Sequence, residues 1–299
     1  MTGVAWEIGL LAGLADHGIR LDTADLLVGT SAGAVVGAQL ACGADVARLY
    51  QEQLEPLPPA REGTGPPGSA GRTGSPGRTG SAGRTGSPGQ GGRADTMRVR
   101  DMAVFGWAML RYRDTVRAQA RIGRMALAAR TVPEADRRAV IAARVPSEEW
   151  PAQRLLITAI DAVTGEFAVL DAGGGVSLVD AVGASCAVPG VWPPVTMAGR
   201  RWIDGGVRSP ANADLAADCE RIVVLAPVPR GLRAATAATH QAEELTRAGR
   251  AVTVVSPDRA AVAAIGRNVL DPARRAPAAR AGHAQAGPAL DRVGTVWDG

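Results

Sequence analysis

A short apolar run, Asp25-Leu26-Leu27-Val28, ends in Gly29-Thr30-Ser31-Ala32-Gly33 and continues without a charged residue into Ala34-Val35-Val36-Gly37. This stretch reads as a buried strand, a sharp turn and a buried helix, so it restricts the chain to folds in which a strand feeds directly into a helix. A serine at the tip of such a turn needs neighbours without bulk, which Gly29 and Gly33 supply. Ser31 then stands at the positive end of a helix, where free backbone N–H groups stabilise an oxyanion. The same residues also fit a plain Gly-rich β-to-α turn with an N-cap serine.

The pattern around this stretch repeats the alternation of strand and helix. Ile8, Leu11, Leu14 and Ala15 have helical spacing with Gly18 as the stop, and Asp45–Leu54 reads as a second, more polar helix after the one that follows Ser31. Pro133 opens a helix to about Val145, and Ser177–Ala184 is also helical. Residues 154–162 and 167–170 read as paired strands around the turn Thr164-Gly165, and Met197–Ile203 as a hairpin around Gly199. Arg221–Val228 and Ala251–Ser256 are buried-strand candidates. Alternation of this kind predicts an α/β sandwich.

Between about Pro56 and Arg93 the character changes. Glycine recurs every third residue from Gly65 to Gly89, and the unit Gly-Arg-Thr-Gly-Ser-Pro/Ala runs from Gly71 to Pro76, Gly77 to Ala82 and Gly83 to Pro88. The period is that of a collagen Gly-X-Y repeat, but the run is short and poor in imino acids, which predicts an expanded linker. The organisation expected is therefore 1–55 as the first part of one domain, 56–93 as a low-complexity insertion, and 94–299 as the remainder. Residues 100–130 read as arginine-rich amphipathic helices, either a cap on the sheet or a lid that meets acyl chains at a membrane surface.

Composition removes several function classes. A net charge of +4 without a dense basic cluster argues against nucleic acid, and every one of the 33 basic residues is arginine. Without lysine, Gly29–Gly37 lacks the Gly-Lys-Ser/Thr ending of a nucleotide phosphate loop. Cys42, Cys186 and Cys219 are odd in number and far apart, which suits buried free thiols and neither a disulfide framework nor a metal site. No secretory signal pattern opens the chain and the apolar run near Ser31 is too short to cross a bilayer, so a cytoplasmic location is expected.

A serine nucleophile needs a base. His17, His240 and His283 have no flanking pattern of an active-site loop, which weakens a Ser-His-Asp triad. Asp204 is the better candidate, since it follows the apolar strand end Trp202-Ile203 and precedes Gly205 and Gly206, which allow a sharp turn beside the carboxylate. A partly desolvated Asp within reach of Ser31 can act as the general base. The alternative for Asp204-Gly205-Gly206 is an ordinary hairpin turn.

Taken together, Gly29-Thr30-Ser31-Ala32-Gly33, then Ala184-Ser185-Cys186-Ala187-Val188-Pro189-Gly190-Val191-Trp192-Pro193-Pro194-Val195, then Asp204-Gly205-Gly206 resemble the patatin-like phospholipases. Val4–Leu14 and Leu270–Arg275 resemble bacterial members. The resemblance implies a three-layer α/β/α fold, Ser31 as a nucleophile that forms an acyl-enzyme, Asp204 as its activator, no metal or other cofactor, and an acyl-lipid substrate met at a membrane surface. It also implies a buried first strand and a glycine loop whose amides form the oxyanion hole. Met1-Thr2-Gly3 aligns only with the tail of that loop, which leaves Gly3 as its remnant and raises the expectation of a start further upstream. The competing expectation is a catalytically impaired binding or scaffold protein of the same fold.

Overall fold

The structure, a computed structural model, describes residues 1–56, 114–231 and 233–298. The elements in chain order are α1 (Thr2–Ala15), β1 (Leu26–Gly29), α2 (Ala32–Ala41), α3 (Val46–Leu54), α4 (Thr115–Ala128), α5 (Glu134–Ala142), β2 (Arg154–Asp161), β3 (Phe167–Leu170), α6 (Leu178–Ser185), β4 (Val195–Met197), β5 (Arg200–Asp204), β6 (Arg221–Leu225), α7 (Ala238–Arg247), β7 (Ala251–Val255), α8 (Arg259–Ile265) and α9 (Arg275–Trp297). The repeat insertion and the apolar cluster from Met102 to Leu110 lie outside the described residues.

The strands form two sheets. In the larger, β1 runs parallel to β2, while β3 and β5 pair antiparallel with β2, and β4 pairs with β5. Helices cover both faces of this sheet, giving the α/β architecture that the sequence pattern predicts. Leu155, Ile157 and Ala159 of β2 face α2, α5 and α6, whereas Ile160 packs with Ile203 against Ala118, Ile122 and Ala126 of α4. The alternation follows from the period of two along a strand. The described part of the arginine-rich region is thus a cap on the sheet. In the smaller sheet β6 and β7 pair in parallel, with α7 packed on Ile222 and Val224, while Val223 and Leu225 turn towards the core of α1 and α9. The sequence pattern did not separate this pair from the main sheet.

Local signals explain the element ends. Asp45, Asp114, Ser177 and Asp258 cap their helices with side-chain oxygens that accept backbone N–H bonds. The β4–β5 hairpin turns through Ala198 and Gly199, both at positive φ.

Helix α1 is apolar on all sides and is buried accordingly. Its main partner is α9, for which the sequence pattern predicts no element. Small residues bring the two axes close: a Cβ added to Gly9 would overlap the Ala279 carbonyl, and one on Gly282 would overlap that of Trp6. Trp6 Nε1–H donates to Gln285 Oε1 across this interface at 2.9 Å.

The thiols correct one expectation. All three cysteines are free, but only Cys186 is buried, while Cys42 and Cys219 are partly exposed. Among the described residues no group of His, Cys, Asp and Glu has the arrangement of a metal site, and no helix is long and apolar enough to cross a membrane.

Candidate active site

Two strands bring the candidate residues together. β1 climbs along β2 as far as Gly29 opposite Ile157, and β5 descends along it to Asp204 opposite Ala159. Their C-terminal ends therefore converge on Thr158, and the residues just past them meet. Ser31 Oγ–H donates to Asp204 Oδ2 at 2.6 Å.

Each half of this meeting point depends on a glycine that tolerates no side chain. A Cβ on Gly29 would lie 2.6 Å from the Ala34 Cα, so the strand can pass this close to α2 only as glycine. A Cβ on Gly205 would overlap the Thr158 hydroxyl and main chain. Ser31 itself has φ 54 and ψ −111, a conformation that L-residues rarely adopt, and its side chain makes no capping bond to α2. Ser31 thus occupies the N-cap position of α2 without the capping bond of an ordinary N-cap serine, and its hydroxyl is directed to a carboxylate. Gly205-Gly206 likewise form a short 3₁₀ turn after β5, and not the hairpin turn considered as the alternative for this motif.

Asp204 is 5% exposed, and burial raises its carboxyl from 3.8 to about 6 against the opposing effect of its donors, the Ser31 hydroxyl and the Gly206 N–H. The Gly206 N–H donates to Oδ1 at 2.7 Å, leaving Oδ2 to Ser31. The Asp204 N–H donates to the Ala187 carbonyl at 3.1 Å, tying β5 to the proline-punctuated loop. A carboxylate held on one oxygen, bonded to a hydroxyl on the other and raised towards neutrality, is suited to accept a proton.

The backbone around Ser31 is held by residues that were quoted in the sequence motif without a role. The Ser31 N–H donates to Ser185 Oγ at 3.0 Å, and the Cys186 thiol donates to the Ser31 carbonyl at 3.0 Å. Burial first, and then the neighbouring Asp204, push that thiol up to about 12, so it stays neutral. Beneath the turn, Thr30 Oγ1 and Thr158 Oγ1 share a hydrogen bond of 2.9 Å, and Asn212 Nδ2 donates to Thr30 Oγ1 at 3.0 Å. Asn212 is buried in the left-handed region with φ 47, and no local sequence signal marks it.

Two helices begin beside Ser31. Ala32 opens α2, and Gly3 lies in the first turn of α1 with its Cβ position 3.3 Å from the Ala32 Cβ. First-turn N–H groups have no intrahelical acceptor and carry the positive end of the helix dipole. The three histidines are engaged elsewhere: His17 Nδ1 with the Gly13 carbonyl, His240 with Glu244, and His283 with Asp16 while stacked on Tyr50.

Ser31, Asp204 and Gly206 line a cavity of about 670 Å³. Val188, Pro189, Trp192 and Val207 are among its apolar lining, and Arg137 and Arg144 line it as well. Glu7 of α1 also faces the cavity, buried, with Oε2 bonded to nothing. Burial raises its carboxyl from 4.5 to about 8, an effect that the nearby Met1 amine only partly offsets. The sequence reading passed over Glu7, because one acidic residue in an apolar helix has no motif to announce it.

Residues 1–217 match the family described as patatin-like phospholipase. A search of curated proteins gives no match. The matched region contains Ser31, Asp204 and every element that positions them. On that match, which spans well over half of its length, the chain belongs to the patatin-like phospholipase family, a family of lipid acyl hydrolases.

Proposed function

We propose that the protein hydrolyses carboxylic-ester bonds of phospholipids or related acyl lipids with Ser31 as nucleophile and Asp204 as general base. The observation that carries this reading is the 2.6 Å hydrogen bond from a strained Ser31 to a buried carboxylate. Asp204 takes the hydroxyl proton as Ser31 Oγ attacks the ester carbonyl, so no free alkoxide has to form. The oxyanion of the tetrahedral intermediate is received by the N–H groups of Ala32 and Gly3 at the two helix N-termini. Asp204 returns the proton to the leaving alcohol, an acyl-Ser31 remains, and the same carboxylate activates the water that releases the fatty acid.

The remaining surroundings suit a lipid. The acyl chain lies against Val188, Pro189, Trp192 and Val207, and the guanidinium groups of Arg137 and Arg144 favour an anionic headgroup at a membrane surface. Arg137 is fixed over the Trp192 ring at 3.9 Å. The test uses p-nitrophenyl acyl esters and phospholipid vesicles together with a fluorophosphonate probe. Turnover and labelling that disappear in Ser31→Ala are expected. Turnover that persists in Ser31→Ala, or no turnover on any acyl ester, overturns the reading.

A further inference from the structure

Asn212 lies 182 positions from Thr30, yet its side chain meets the supports of both Ser31 and Asp204. Its Nδ2 group donates to Thr30 Oγ1 at 3.0 Å, to Thr158 Oγ1 at 3.4 Å and to the Ser209 carbonyl at 2.8 Å. Thr30 is the residue before Ser31. Thr158 faces the turn that follows Asp204, so closely that a Cβ on Gly205 would overlap its hydroxyl. The two hydroxyls share a bond of 2.9 Å, and the amide sits against both.

The amide can face only one way. Arg208 Nη1 donates to Asn212 Oδ1 at 2.6 Å, and a guanidinium has no acceptor to offer an NH2 group. The oxygen therefore faces Arg208, and the two N–H bonds are left for the threonines and Ser209. Arg208 is itself held by Asp214, at 3.0 and 2.6 Å, and lies 4.3 Å over the Phe167 ring of β3. The backbone is set as firmly: Asn212 has φ 47 and ψ 38, a left-handed conformation that asparagine tolerates better than most side chains, and its N–H donates to Ser209 Oγ at 3.1 Å. The residue is fully buried and does not line the cavity beside Ser31, so it acts through its neighbours.

Ser31 needs such support. Its φ of 54 is strained, and a strained residue persists only where its surroundings fix it. The 2.6 Å bond from Ser31 to Asp204 also joins residues at the ends of β1 and β5, which do not pair with each other and are both carried by β2. Thr30 follows β1 and Thr158 belongs to β2, so one donor shared beneath them fixes the position of the Ser31 turn over β2.

We propose that Asn212 is a positioning residue: its amide clamps the Thr30 and Thr158 hydroxyls together and thereby holds Ser31 Oγ against Asp204 Oδ2. The proposal rests on the reading of Ser31 and Asp204 as nucleophile and base, and it assigns their alignment to a residue that substrate does not touch. Arg208 and Asp214 form the outer end of the clamp, since they turn the amide towards the threonines. Loss of the clamp and simple loss of packing move Asp204 in opposite directions. Its carboxyl meets the Ser31 hydroxyl, the Gly206 N–H and the neutral Cys186 thiol, while Glu7, Arg137 and Arg144 line the same cavity. Burial raises the carboxyl and the Ser31 hydroxyl lowers it. A Ser31 that drifts away therefore leaves Asp204 above its value of about 6, whereas water admitted to the site brings it below.

The Asp204 carboxyl is titrated by carbon NMR in the parent, Asn212→Gly, Thr30→Val and the double variant, with kcat and KM measured alongside on an acyl ester. Glycine keeps the left-handed backbone and removes only the side chain. Each single variant is expected to raise the Asp204 midpoint by about one unit, a tenfold change in proton affinity, and to lower kcat by roughly 10–10²-fold with KM near that of the parent. Because both remove one contact, the double variant is expected to go no further than the larger single effect. A midpoint that stays or falls in Asn212→Gly, effects that add, or a loss confined to KM overturns the proposal. Midpoints that shift as expected in a protein that turns over no ester support the clamp and overturn the hydrolase reading. Where Asn212→Gly does not fold, Thr30→Val and Thr30→Ser decide, since both leave the bonds of Asn212 to Ser209 and Arg208 in place. The first is expected to raise the midpoint and the second, which keeps the hydroxyl, to restore it; the same midpoint in both overturns the proposal.

Discussion

Ser31 stands between two unlike neighbourhoods, each with a buried carboxyl group. On the β2 side, Asp204 has a hydroxyl on one oxygen and a backbone N–H on the other, and its carboxyl rises from 3.8 to about 6. On the α1 side, Glu7 has one oxygen bonded to nothing and rises from 4.5 to about 8. Burial raises both, and what separates them is the supply of donors. A carboxyl group at about 6 is ionised near neutrality and can take a proton, while one at about 8 is held neutral. In the first neighbourhood both carboxyl oxygens have donors among the described residues; in the second, Glu7 Oε2 has none.

The largest expected effect breaks the first neighbourhood. Replacing Ser31 by Ala lowers kcat/KM on an acyl ester by roughly 10⁴-fold or more, as loss of a nucleophile does elsewhere, while leaving the thermal midpoint close to that of the parent. Asp204→Asn lowers it by roughly 10²–10⁴-fold, the usual worth of a general base. In the parent protein, kcat/KM falls as pH drops through about 6, because the base becomes protonated. A pH–rate profile flat from pH 5 to 8 would remove Asp204 from that role.

The second neighbourhood is tested by stability. The folded Glu7 pKa lies above its unfolded value, so its contribution is fully present below about 4.5 and is lost as pH rises through about 8. Glu7→Gln removes that loss. It is expected to stabilise by a few kcal/mol at pH 9, on the order of the shift at 1.36 kcal/mol per unit, and to change little at pH 5. Denaturant unfolding at the two pH values measures this.

Smaller effects come from the scaffolds of the two sides. Gly205→Ala forces a methyl group into Thr158, and a loss of about 1–3 kcal/mol is expected, as for overpacked sites, with kcat lowered because β5 must shift. Trp6→Phe removes the bond to Gln285 that ties α1 to α9, and a loss of about 1–2 kcal/mol in the unfolding free energy is expected. No change in either midpoint would show that the close approaches at Thr158 and at the α1–α9 interface are relaxed in solution.

What could be read from the sequence follows the range of the interaction responsible. The strand–turn–helix at Ser31, the hairpin around Gly199 and the capped starts at Asp45 and Ser177 are each set by residues within a few positions of one another, and they stand where the pattern put them. Asp204 was reached because a strand end followed by two glycines is also local. That β1 and β5 converge on Thr158 is a matter of register between segments more than a hundred residues apart, which no local pattern encodes. Asn212 and Ser185 act through such distant contacts and had no signal of their own. The separate β6–β7 sheet was hidden for a related reason, since its strands carry the same apolar run as those of the main sheet. Helix α9 escapes the sequence pattern because its interface is made of alanine and glycine, which lower the hydrophobic contrast while permitting the closest packing.

The Trp6–Gln285 bond spans 279 positions, so α1 and its main packing partner are separated by nearly the whole chain. During synthesis α1 emerges well before α9, the helix that covers its apolar surface. Until then α1 is an exposed apolar rod, which calls for chaperone protection and makes folding slow through its high contact order. Since Gly3 reaches Ala32 only when α1 is docked, the oxyanion donors proposed at Ser31 come together only once α9 is in place. Ribosome-bound chains arrested before residue 275 should therefore leave Ser31 unlabelled by a fluorophosphonate, and release of the full chain should switch labelling on.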